Sequence, residues 1–132
     1  MNQKHLQCRG KSAGGWAIGY YLPDSPVQNG TGPVIFCADQ KGKLIGVYLS
    51  VDPKTVTICS GMEDQNKKLI FDQDLIVNYK TKEAGLVEYS EADGQFALVT
   101  KDGEMKNFSD LISTEFEIVG NIYDNPDYME WI

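Results

Sequence analysis

Apolar residues in this chain fall in short runs punctuated by Gly, Asn, Asp and Pro. They do not recur at the i, i+3, i+4, i+7 spacing of an amphipathic helix, so the runs predict strands. The organising stretch is Ser60 to Tyr79. Asp64-Gln65-Asn66-Lys67 predicts a tight turn, because Asp and Asn bond nearby backbone and tolerate left-handed conformations. Leu69, Ile70, Phe71 and Leu75, Ile76, Val77, Tyr79 then read as two strand fragments around the acidic turn Asp72-Gln73-Asp74.

Upstream, Leu6 to Lys11 is a strand candidate, Gly14-Gly15 a hairpin turn, and Trp16 to Leu22 a strand ended by Pro23. Asp24 to Pro33 is expected to be an exposed loop. Val34–Ala38 and Leu44–Val51 follow as strands, with a turn at Asp39–Lys43 between them and a possible bulge at Gly46. Asp52-Pro53 turns the chain into Thr55–Cys59, where Thr alternates with branched or small residues at the period of a half-buried strand. Downstream, Ala84-Gly85 reads as a turn. Leu86–Tyr89 pairs with Gln95–Thr100 across Asp93-Gly94, and Asp102-Gly103 makes a second turn. Asn107–Ile112 is one helical turn or a short strand. Glu115–Tyr123 is a closing strand, broken by Asp124-Asn125-Pro126. Residues 127–132 are expected to form a short terminal helix, capped by Asp124 or Asn125 with Pro126 in its first turn. The pattern predicts an all-β fold of two small barrel-like halves, 1–60 and 61–132, with at most that short C-terminal helix. Tyr128, Met129, Trp131 and Ile132 are expected to fold back over a barrel mouth; docking on a second copy is the alternative, so monomer and homo-oligomer both stay open.

Composition changes this picture in three ways. With 132 residues and 42% hydrophobic content the chain can bury a core as one domain or two small subdomains. No apolar run approaches a membrane span, and MNQKHLQCRG lacks the apolar centre of a secretion signal, so the cytoplasm of whatever cell makes the chain is the expected location. Cys8, Cys37 and Cys59 lie in apolar segments without CxxC spacing, which reads as small buried hydrophobes rather than disulfides or a zinc site. A catalytic thiolate would want a His, and the only one is His5.

Charge is lopsided: residues 1–60 carry six Lys/Arg and three Asp/Glu, residues 61–132 six and sixteen, giving +3 and −10 within a net −7. Such a chain is a poor binder of nucleic-acid phosphates. Its acidic half can face a basic partner, including a protein's nucleic-acid-binding surface; the plainer reading is solubility.

Four blocks then resemble the YopX-like family of phage and prophage proteins: Arg9-Gly10-Lys11 with Gly15-Trp16 and Gly19-Tyr20; Val51 to Val56; Gly61 to Asn66; and Ile118 to Pro126. They occur in the family's order and span most of the chain. One position departs: Gln73 stands where the family carries Gly, which implies a changed turn geometry there. The resemblance implies a β-rich protein with an SH3-like barrel in its C-terminal half, and no established catalytic activity or active site. Gly61, Gly120 and Pro126 read as turn and strand-end positions, and Trp16 and Tyr20 as packing residues.

Two functions compete. The first is a non-enzymatic phage accessory protein that binds a host protein, an inhibitor of a bacterial defence system being attractive. Its contact residues would be Asp72, Asp74, Glu88, Glu91, Asp93, Asp102 and Glu104, with no direct contact to nucleic acid or membrane. The second is a binder of a small nucleotide signal using Arg9, Lys11, Trp16, Tyr20, Tyr21 and Phe36. Asp72 and Asp74 could also share a metal, but further ligands do not stand out and turn residues are the plainer reading. No nucleophile, base and oxyanion donor assemble into an enzyme, and no cofactor or metal is expected.

Overall fold

The turns are set locally, by side chains that bond backbone a few residues away. Asp64 Oδ1 accepts the backbone N–H groups of Asn66 and Lys68 at 2.8 and 2.9 Å, and Lys67 takes φ 64°. This is the predicted turn, and it joins β5 (Asp52–Glu63) to β6 (Leu69–Phe71). The computed structural model describes residues 7–28, 30–39 and 41–127. Leu6, His5, the expected helix at 127–132 and the apolar tail therefore lie wholly or partly outside the described residues.

The fold is all-β: two antiparallel sheets, with only single 3₁₀ turns between strands among the described residues. The chain divides into two compact units, Met1–Gly61 and Met62–Ile132. In the first, β1 (Cys8–Ser12), β2 (Gly15–Val27), β3 (Gly30–Ala38), β4 (Leu44–Ser50) and β5 lie in the order β4-β3-β2-β1-β5. The core on one face is Ala17, Ile35, Cys37 and Val51, with Tyr21 and Val56 against it. Trp16 and Tyr20 are outside this cluster, since successive side chains on β2 point to opposite faces. They are half-buried on the other side of the sheet.

β2 does not end at Pro23. It continues to Val27, and β3 begins at Gly30 rather than Val34, so the expected loop is a hairpin extension. A register shift between Leu22 and Ser25 accommodates the proline, which has no N–H to give the ladder. Gly46, at φ 76°, marks the predicted bulge: Phe36 faces Tyr48, but Ala38 faces Leu44.

In the second unit, β7 (Asp74–Asn78), β8 (Glu83–Ser90), β9 (Gln95–Val99), β10 (Met105–Asn107) and β11 (Glu117–Asn121) lie in the order β10-β9-β8-β7-β11. Ile70, Ile76, Val87, Leu98, Phe108 and Phe116 form the core. Leu75 and Leu86 form a smaller cluster, with Val119 and Ile122 against it. Adjacent Leu75 and Ile76 thus serve different clusters, which is why β7 reads as an unbroken apolar run.

Ala84-Gly85 is not a turn. Gly85 lies within β8 opposite Ile76, and a Cβ there would collide with the carbonyl oxygen of Val99 on β9. The glycine is needed for close strand approach, not for bending. Nor does Gln73 abolish the left-handed turn: it adopts φ 73° itself, between β6 and β7. Asn107 caps a 3₁₀ turn at Phe108–Asp110 by accepting the N–H of Ser109. After β11, Asn121 Oδ1 accepts the N–H groups of Tyr123 and Asp124 at 3.0 Å, while Asn125 Oδ1 accepts that of Asn121. The GNIYDNP block is therefore a side-chain clasp; the Asn125 side chain is turned back toward β11.

Candidate functional site

Three of the second unit's carboxylates are fastened into the backbone. Asp64, 1% exposed, accepts from Ile118 through Oδ2 at 3.1 Å in addition to its turn. Asp72 Oδ1 accepts the Tyr89 N–H at 2.9 Å and the Gln73 side-chain amide. Asp74, 0% exposed, accepts the Phe71 N–H at 2.8 Å. Buried charge needs such donors. Asp74 is thus a bracket inside the fold and cannot meet a partner, which corrects its place in the acidic contact set; half-buried Asp72 is similarly occupied. Among the described residues no three His, Cys, Asp or Glu come together as a metal site.

The other acidic candidates lie along the β8–β9–β10 sheet. Glu91 and Asp93 are exposed in the β8–β9 hairpin, whose Gly94 takes φ 64°. Asp102 and Glu104 are exposed in the β9–β10 hairpin, at the opposite end of β9. Five residues of β9 separate the two ends, about 17 Å at the usual rise. Half-buried Glu88 faces Ala97 between them, on the side of β8 away from buried Val87. The set is a stripe rather than one cluster. Its two ends differ: Asp102 and Glu104 share a hollow of about 280 Å³ with Lys82, Lys101 and Lys106. Lys106 bonds Glu83 at 2.7 Å there. That hydrogen bond, foremost, holds the Glu83 carboxyl below its ordinary range and Lys106 above its own.

The second candidate set is largely assembled. On β1, β2 and β3, Arg9 faces Ile18, Lys11 faces Trp16, and Tyr20 faces Phe36, which places Arg9, Lys11, Trp16, Tyr20 and Phe36 on one side of the sheet. Tyr21 points to the other side and packs on the core. The members are bound to one another. The Arg9 guanidinium sits 4.8 Å and the Lys11 ammonium 5.8 Å from the Trp16 ring centre. Arg9 also donates to Thr57 Oγ1 at 3.2 Å, Tyr20 donates to the Gly42 carbonyl, and Phe36 stacks on Tyr48 at 4.3 Å.

Sequence reasoning placed a strand at Leu44–Val51 but did not foresee how open β4 lies. Leu44, Ile45, Val47, Tyr48 and Leu49 are all exposed, and the strand is the edge of its sheet. The available signal was the run LIGVYLS, which has no polar alternation to assign one face to a core. The three cysteines are not joined in disulfides: Cys37 and Cys59 are buried and Cys8 half-buried, and burial raises the Cys8 and Cys37 thiols. No described helix is long and apolar enough to cross a membrane.

A family model described as YopX protein matches residues 25–130. The Arg9–Tyr20 block precedes that span. No curated protein matches the chain.

Proposed function

The chain belongs to the YopX protein family, and on that premise we propose a non-enzymatic phage or prophage accessory protein that works in the bacterial cytoplasm by binding a host protein. The partner's surface is basic, as the nucleic-acid groove of a defence nuclease is, and occupying it blocks the defence. The observation that supports this reading is the exposure of Glu91, Asp93, Asp102 and Glu104 on hairpin ends in a half of net charge −10. Such contacts steer association and weaken with salt. The test is capture of a host protein by the tagged chain, followed by affinity measurement between roughly 50 and 500 mM salt, a span over which the Debye length falls severalfold. Affinity is expected to fall by about tenfold or more, and the Glu91→Lys, Asp93→Lys variant to reproduce the loss at low salt. A flat salt response, with binding intact in the variant, rejects the mechanism.

The shared face of Arg9, Lys11, Trp16, Tyr20 and Phe36 favours a second reading, a nucleotide-sized ligand stacked on aromatics. It expects a thermal shift with one member of a cyclic-nucleotide panel, lost in Trp16→Ala. The mutual contacts on that face leave this reading the weaker of the two.

A further inference from the structure

We draw no further inference here: the strongest candidate, the hollow of about 280 Å³ between the start of β8 and the β9–β10 hairpin, lined by Lys82, Lys101, Lys106, Glu83, Asp102 and Glu104, carries nothing, because its three ammonium groups are matched by three carboxylates, Lys106 is already bonded to Glu83 at 2.7 Å, and its exposed acidic members belong to the contact surface already described.

Discussion

At Gln73 the chain keeps a left-handed turn without the residue best suited to it. Gln73 holds φ 73° while its N–H donates to the Val87 carbonyl at 2.7 Å and its carbonyl accepts from Ile122. Those backbone bonds fix the conformation whatever the side chain is. A side chain there costs about 1–2 kcal/mol relative to glycine, partly offset by glycine's freer unfolded chain. Gln73→Gly is therefore expected to raise stability by about 0.5–1 kcal/mol in urea titration, and Gln73→Val to lower it. A loss of stability in the glycine variant would mean that the 2.9 Å bond from the Gln73 amide to Asp72 outweighs the backbone term. Gly85 is the opposite case. Alanine there must push β9 away through a backbone oxygen, so Gly85→Ala is expected to cost about 2–4 kcal/mol. A cost below about 1 kcal/mol would show that the ladder shifts freely, as well-packed interiors do not.

The same contrast between local and distant causes decides which elements could be read from the chain. The turns at Asp64 and Asp93-Gly94 were legible because their side chains or glycines act within a few residues. β7 was legible because a run buried on both faces has no polar alternation. The extension of β2 past Pro23 was not, because the register shift that rescues it depends on β3. Gly85 was not, because its reason lies on β9. For the sites, period-two alternation foretells that Tyr20 and Tyr21 cannot share a face, yet nothing local tells that Asp74 is buried while Glu91 is not. At this scale the Glu83–Lys106 bond spans from β8 to β10 across β9. Glu83 titrates below its ordinary range in the folded chain, so its contribution is complete above that range and vanishes as pH falls through the lowered value. Lys106 works in the other direction: raised in the fold, its contribution holds below the ordinary lysine range and is lost as pH climbs through the raised value. Glu83→Gln should flatten the acid limb of the melting temperature against pH and leave neutral pH little changed. An acid limb of unaltered steepness would place the acid sensitivity in other carboxylates.

Across the whole molecule, salt should act with opposite signs on stability and on binding. The −10 of residues 61–132 is spread over a small unit and includes exposed Glu91, Asp93, Asp102, Glu104, Asp110 and Glu115. Like charges held together in the fold repel more than in the expanded chain, and ions screen that repulsion within a Debye length of about 10 Å at 0.1 M. Raising salt from about 20 to 500 mM should therefore raise the melting temperature. The same ions should weaken capture of a basic partner, because that attraction uses the same uncompensated charge. Scanning salt once, with melting temperature and partner affinity read on the same samples, separates the two. If stability and partner affinity fell together, the acidic half would be held by internal ion pairs rather than strained by repulsion, and its charge would be structural instead of a docking surface.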